Sequence, residues 1–131
     1  MGVKELRLVV TVDDYDEAVA FYRDVLGLPE RESYSSEDGR VTILEVERAT
    51  LELADQGQAE FIDAVEVGRR VAGKYRVAFE VDDATATTQR LADAGATVVA
   101  EPTRTPWNSL NARLETPGGI QLTLFTELDF K

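Results

Sequence analysis

The sequence contains neither cysteine nor histidine. The absence of cysteine excludes disulfides and thiol nucleophiles, and the absence of histidine excludes Ser-His-Asp triads and imidazole general bases. Zinc fingers and iron sites built from two histidines and a carboxylate are excluded too, because the chain lacks their ligands. Any function must therefore depend on the other polar side chains and on aromatic rings.

Long apolar runs are also missing. No stretch approaches the roughly 18 to 20 apolar residues that a membrane-spanning helix needs. Met1–Val12 alternates charged and apolar residues and lacks the cationic start and apolar core of a signal peptide. With 131 residues, the chain is predicted to be a single cytoplasmic domain that does not bind membranes.

Basic residues are scarce, with 14 against 25 acidic residues and a net charge of -11. This sign is unfavourable for binding phosphates, so nucleic acid is not an expected partner. Residues 1–66 contain 17 acids and 6 bases, whereas residues 67–131 contain 8 of each. The acidic half either serves solubility or attracts a cationic small molecule.

The apolar pattern of the first half predicts a strand, a helix and three strands. Leu6–Val12 is a β-like run, and Asp14 opens a helical pattern that ends at Gly27. Three short β-like runs follow, with an Asp-Gly turn at 38–39 after the first: Glu30–Ser35, Val41–Val46 and Thr50–Ala54. The predicted order is βαβββ.

The second half repeats this order. Residues 7–14 align with residues 76–83 at an offset of 69, with four of the eight positions identical. The predicted elements are a helix over Asp83–Ala94 and strands at Tyr75–Val81, Thr97–Ala100, Leu110–Glu115 and Ile120–Phe125. Two copies of one unit must bury their faces against each other or against a second chain.

A linker joins the two copies. Its apolar residues Phe61, Ile62 and Val65 are spaced as in an amphipathic helix. The predicted organisation is one domain of the α+β class, covering residues 1–131. It consists of module 1 at about 5–55, a linker helix at about 56–73 and module 2 at about 74–127.

Four segments resemble the vicinal oxygen chelate superfamily, which includes glyoxalases, bleomycin-resistance proteins and extradiol dioxygenases. They are VDD at 12–14 leading to FYRDVLG at 21–27, LEL at 51–53, VAFEVDD at 77–83, and TPW at 105–107 followed by PGGIQLTLF at 117–125. The resemblance implies that each βαβββ module forms a curved mixed sheet around a cavity. It also implies a homodimer, whose expected role is to cover the free sheet edges.

The resemblance also implies where the metal ligands of the family's enzymes would lie. The corresponding positions are Arg7, Glu52, Arg76 and Thr123, and only Glu52 is a residue that the family uses as a ligand. Guanidiniums repel a divalent cation and have no lone pairs to offer it. We therefore expect no metal, no other cofactor, and none of the family's metal-dependent glyoxalase, epimerase or dioxygenase chemistry.

Strand alternation predicts which side chains face the cavity. On the first strand Leu8, Val10 and Val12 would pack under the helix and send Arg7 to the opposite face. On the fifth strand Arg76 and Glu80 would face the cavity, together with Glu52 from the fourth strand and Gln121 and Thr123 from the last. Two interpretations stay open for Arg7, Glu52 and Arg76, which either form a buried ion-pair network or also bind a ligand.

Trp107 is the only tryptophan, and it lies in a loop between two predicted strands. It either closes the core or forms an aromatic wall for a flat ligand, as this loop often does in proteins that the sequence resembles. Tyr34 is a candidate for a second wall.

Two classes of function remain. The first is a metal-free protein that sequesters an aromatic or cationic metabolite or antibiotic, similar to the bleomycin-resistance branch. The second is a metal-independent isomerase or lyase, with Glu52 or Glu80 as general base and Arg7 or Arg76 stabilising an anionic intermediate. Internal pairing of the cavity charges would favour binding, and a carboxylate with a raised pKa would favour catalysis.

Overall fold

The computed structural model describes residues 8, 10, 12–49, 52 and 55–128. Contacts divide the chain into two units, residues 1–53 and 54–131. The predicted α+β class is confirmed, with six strands in two sheets among the described residues. In the same ranges, no helix is long and apolar enough to cross a membrane. Most of the predicted first and fourth strands lies outside the described residues.

The first unit contains helix α1, Tyr15–Val19, which continues as a π-helical segment, Ala20–Val25. Asp14 caps α1, because its side chain accepts a hydrogen bond from the Glu17 amide at 3.0 Å. The helix thus begins where the sequence predicts. Leu8 and Val10, predicted to be buried under this helix, are instead exposed.

The predicted hairpin of the first unit is confirmed. Strands β1, Glu30–Ser35, and β2, Arg40–Leu44, pair antiparallel around the Asp-Gly turn. The amide of Ser36 donates to the carbonyl of Gly39 at 2.9 Å, which closes a four-residue loop. Every residue of β1 is exposed.

The second unit contains the predicted βαβββ order after a helix. Its elements are α2 (Gln56–Glu66), β3 (Val77–Glu80), α3 (Ala84–Asp93), β4 (Thr97–Arg104), β5 (Ser109–Glu115) and β6 (Gln121–Glu127). The sheet order is β3-β6-β5-β4, with β3 parallel to β6 and the other pairs antiparallel. Strand β4 runs four residues beyond its predicted end and has register shifts against β5.

The two faces of this sheet differ in chemistry because side chains alternate along each strand. One face is apolar: Ala112 is paired with Leu124, and Leu114 with Leu122, and all four are buried, as is Leu91 of α3, a helix that contacts the sheet. The opposite face is polar, with Arg113 paired to Thr123. Both of these residues are also buried.

Helix α2 differs from the predicted linker helix in length and in its inward face. It ends at Glu66, and Gly68 takes a φ of 94°, which favours glycine and turns the chain out of the helix. Its buried residues are Asp63 and Glu66, whereas Phe61 is 49% exposed. The inward face is acidic rather than apolar because it meets the basic side chain of Arg113.

Candidate functional site

Arg113, on the polar face of β5, is fully buried and joins helix α2 to the sheet. Its Nη1 donates to Asp63 Oδ1 at 2.7 Å, and its Nη2 donates to Glu66 Oε1 at 2.8 Å. Its Nε also reaches Glu66 and the hydroxyl of Thr123, both at 3.2 Å. The five N–H groups of a guanidinium suit such a site, where two carboxylates are bound from one cation.

Asp63 is 1% exposed and accepts four hydrogen bonds. Besides Arg113, its donors are Arg70 Nη1 at 2.7 Å and the amides of Val71 and Ala72 at 2.8 and 2.9 Å. Burial is the largest single influence and by itself raises the pKa of Asp63. The hydrogen bonds from the two amides and the two guanidiniums outweigh burial, so the pKa of Asp63 lies well below its usual range.

Glu66 gathers donors from two strands. Its Oε1 accepts from the Thr123 hydroxyl at 3.1 Å as well as from Arg113, and its Oε2 accepts from Asn111 Nδ2 at 2.7 Å. Arg76 Nη1 donates to Thr123 Oγ1 at 2.8 Å and extends the cluster towards β3. The cluster is therefore one connected hydrogen-bond network that links α2, β5, β6 and the chain before β3.

Three of the predicted site residues meet in this network. Arg76 donates a hydrogen bond to Thr123. Gln121 accepts a hydrogen bond from Arg113 Nη1 at 3.4 Å and donates one to Glu115 at 2.9 Å. Arg7 lies outside the described residues. The predicted grouping of Arg7, Glu52 and Arg76 is therefore untested and stays a prediction.

The remaining predicted residues are accessible to solvent. Glu52 and Tyr34, both in the first unit, are exposed, and Glu80 is exposed on β3. Tyr34 donates a hydrogen bond to Glu32 and lines a shallow groove at the tip of the β1–β2 hairpin. Their roles as general base or aromatic wall stay predictions.

Trp107 occupies a tight turn between β4 and β5. The amide of Thr105 donates to the carbonyl of Ser109 at 2.8 Å, and Asn108 closes the turn with a φ of 66°. The indole is 42% exposed and lies 6.1 Å, centroid to centroid, from the ring of Phe61 on α2, with the two planes tilted by 49°. This geometry is typical of a stabilising aromatic pair, and both rings keep area open to solvent.

Sequence reasoning missed the centre of the network: Arg113, Asp63 and Glu66. One signal was available, because Asn111, Arg113 and Glu115 alternate with Leu110, Ala112 and Leu114 along β5. A second signal was the spacing of Asp63 and Glu66, which places both carboxylates on one face of a helix. Neither signal indicates that the polar face of β5 packs against the acidic face of α2.

Arg76 and Thr123, two of the residues that the resemblance assigns to metal-ligand positions, do not fit a divalent cation. The Thr123 hydroxyl accepts hydrogen bonds from Arg76 and Arg113 and donates its only hydrogen to Glu66. A cation placed at this hydroxyl would face two fixed positive charges. Within the described part of the chain, no group of three or more acidic residues is arranged to hold a metal ion.

Comparison with known proteins supports the fold described above. A profile of the glyoxalase/bleomycin resistance protein/dioxygenase superfamily matches residues 6–124. The chain therefore belongs to this superfamily. A search of curated proteins finds no match.

Several solved structures are similar along nearly their whole length. UcmS2 is 26% identical with a TM-score of 0.58, and the match covers 93% of this chain and 98% of that one. TnmS3, an antibiotic binding protein from Streptomyces sp. CB03234, is 22% identical with a TM-score of 0.63, covering 97% and 98%. A superfamily member from Sphaerobacter thermophilus DSM 20745 is 21% identical with a TM-score of 0.60, covering 90% and 92%.

The first prediction concerns the charge balance around Arg113. Arg113→Met leaves the carboxylates of Asp63 and Glu66 buried without their shared cation, and we expect it to lower the free energy of unfolding by about 3 to 5 kcal/mol. Adding Glu66→Met removes the carboxylate that this change leaves without a cation, whereas Asp63 keeps Arg70 and two backbone amides as donors, so the double variant should recover part of this loss. Urea unfolding measures both effects, and a double variant as unstable as Arg113→Met would contradict the prediction.

The second prediction follows from the lowered pKa of Asp63. A carboxyl group whose pKa is lower in the folded state stabilises the fold above its unfolded pKa of about 3.9, and this stabilisation is lost as the pH falls further. The free energy of unfolding should therefore fall less steeply below about pH 4 in Asp63→Asn than in the parent. A slope in Asp63→Asn as steep as that of the parent would contradict the prediction.

Proposed function

We propose that this chain is a small-molecule-binding protein of the glyoxalase/bleomycin-resistance type. It sequesters an aromatic or cationic metabolite or antibiotic, without a metal or other cofactor. The observation that carries the proposal is the bonding of the Thr123 hydroxyl to two guanidiniums and a carboxylate, at a position that the family resemblance assigns to a metal ligand. A site organised by internal ion pairs is suited to holding a molecule in place rather than to activating it through a metal.

The similarity to TnmS3 supports binding as the function. TnmS3 is described as an antibiotic binding protein, and the two chains match over 97% of this sequence with a TM-score of 0.63. At 22% identity this is a likeness of fold. It makes an antibiotic or a similar organic molecule a reasonable guest to test first.

The aromatic and charged surfaces favour a particular kind of guest. Trp107 presents a partly exposed indole beside Phe61, and a planar aromatic ring would stack on it with a gain on the order of 1 kcal/mol beyond the buried area. Tyr34, on the exposed strand β1 of the first unit, stays a candidate aromatic contact proposed from the sequence. Because residues 1–66 carry the whole net negative charge, a cationic guest should be attracted more strongly than an anionic one.

No contact among the described residues favours the enzymatic alternative. An efficient general base needs a pKa near the working pH, which proteins obtain by burial or by neighbouring charges. The candidate bases Glu52 and Glu80 are both exposed. The buried carboxylates Asp63 and Glu66 are both bound to Arg113.

The third prediction is that the protein is a homodimer, proposed here as a cytoplasmic one. Among the strands that the structure describes, β3 and β4 form the edges of the second unit's sheet. Unpaired edges are usually covered in stable proteins, and a symmetric second copy is the simplest cover. Light scattering at micromolar concentrations should report twice the mass of the 14.5 kDa chain, and a single chain's mass would count against a dimer.

The fourth prediction tests binding itself. Protein whose metal content has been measured is titrated with 9-aminoacridine, a planar cation, and with acridine-9-carboxylate, an anion of similar shape. We expect saturable quenching of Trp107 without stoichiometric metal, and tighter binding of the cation. The difference should narrow at high salt, because screening acts over about 10 Å at 0.1 M.

The variant Trp107→Phe separates the role of the indole from that of the rest of the site. Calorimetry should show weaker binding of both acridines to it than to the parent. Equal affinity in Trp107→Phe would remove this loop from the site. Preference for the anion would instead indicate that Arg76 and Arg7 decide the selection, and one bound metal per chain would contradict metal-free binding.

A further inference from the structure

A chain of buried side-chain hydrogen bonds runs from Glu66 to the turn that carries Trp107. Glu66 Oε2 accepts from Asn111 Nδ2 at 2.7 Å, and Asn111 Oδ1 accepts from Ser109 Oγ at 2.6 Å. Ser109 Oγ in turn lies 2.9 Å from Thr105 Oγ1. All four residues are at most 6% exposed, so water does not compete for these bonds.

The direction of every hydrogen bond in this chain is set by the charge on Glu66. An ionised carboxylate can only accept, so Asn111 must turn its NH₂ group towards Glu66 and its carbonyl oxygen towards Ser109. The Ser109 hydroxyl then donates its hydrogen to Asn111, so Ser109 Oγ can only accept in its contact with Thr105 Oγ1. The Thr105 hydroxyl also has the Ser109 carbonyl, at 3.3 Å, as an acceptor. These hydrogen bonds connect Glu66 to both ends of the Trp107 turn.

The turn depends on these two hydroxyl residues for its shape. Thr105 Oγ1 also accepts from the Ser109 amide at 3.1 Å, and the Thr105 amide donates to the Ser109 carbonyl at 2.8 Å. Thr105 and Ser109 thus close the segment on either side of Trp107. The ring that Trp107 contacts, Phe61, lies on α2, the same helix that carries Glu66.

We propose that Asn111 is a positioning residue for the Trp107–Phe61 pair. It connects the Glu66 carboxylate to the Trp107 turn, so that the ionic network fixing α2 against the sheet also fixes the indole relative to Phe61. The consequence for a guest rests on the proposed function: an indole already held in place costs less to immobilise when an aromatic molecule stacks on it. Asn111 itself is not expected to touch the guest.

The test replaces Asn111, the middle residue of this series of hydrogen bonds. Asn111→Leu keeps the size of the side chain and leaves Arg113 bound to Asp63 and Glu66. Well below the unfolding temperature, we expect its Trp107 emission to shift to longer wavelength and its quenching by acrylamide to increase. Leu91→Ala, in the apolar core under α3, is the matched control. It lowers the stability of the fold but leaves the hydrogen bonds from Glu66 to Thr105 intact, so its Trp107 emission should equal that of the parent.

Binding of 9-aminoacridine gives the second readout. In Asn111→Leu the affinity should fall about two- to tenfold, the cost of ordering one more side chain on binding, whereas Leu91→Ala should bind as the parent does. If Asn111→Leu does not fold, Ser109→Ala breaks the next link and should shift the emission in the same direction.

The outcomes separate this inference from the proposed function. Parent-like emission and quenching in Asn111→Leu, or an equal emission shift in Leu91→Ala, would overturn the positioning role. If the parent binds neither acridine, the proposed function has failed for this class of guest. The emission and quenching of the free protein still decide whether Asn111 positions Trp107.

Discussion

The second unit depends on one buried guanidinium. Arg113 is surrounded by protein on a sheet face whose neighbours are also polar, and its charge is acceptable there only because Asp63 and Glu66 are bound to it. This requirement fixes the rotation of α2, since no other face of the helix would bring both carboxylates to one cation. The linker helix is therefore oriented by ion pairs, with its aromatic residue Phe61 left towards solvent.

The same network reaches the last strand of the sheet. The last-strand position is Thr123, whose hydroxyl joins the guanidiniums of Arg76 and Arg113 to Glu66. Two guanidiniums of the chain thus meet at a side chain that the family resemblance assigns to a metal ligand. The fold thus keeps a buried polar face in the second unit, held together by hydrogen bonds and ion pairs among its own side chains.

Local sequence patterns predicted much of the fold, but contacts between residues far apart in the sequence could not be predicted from them. The aspartates that open the predicted helices, Asp14 and Asp83, the Asp-Gly turn and the β-like runs of β5 and β6 gave correct elements, because those signals act over a few residues. The site was harder to predict. Thr123 and Arg76 were found through the repeat and the family resemblance, but Arg113 and Glu66 are 47 residues apart in sequence, and nothing local indicates that they meet.

The different chemistry of the two faces of the four-stranded sheet affects the heat capacity of unfolding. Exposure of apolar surface raises the heat capacity of unfolding, whereas exposure of polar surface lowers it. Release of α3 would uncover Leu91, Leu114 and Leu122, whereas release of α2 would uncover the buried Asp63, Glu66 and Arg113 together with the half-buried Ile62 and Val65. Detachment of α2 alone would thus change the heat capacity less than detachment of α3, and amide hydrogen exchange along α2 would report such an opening directly.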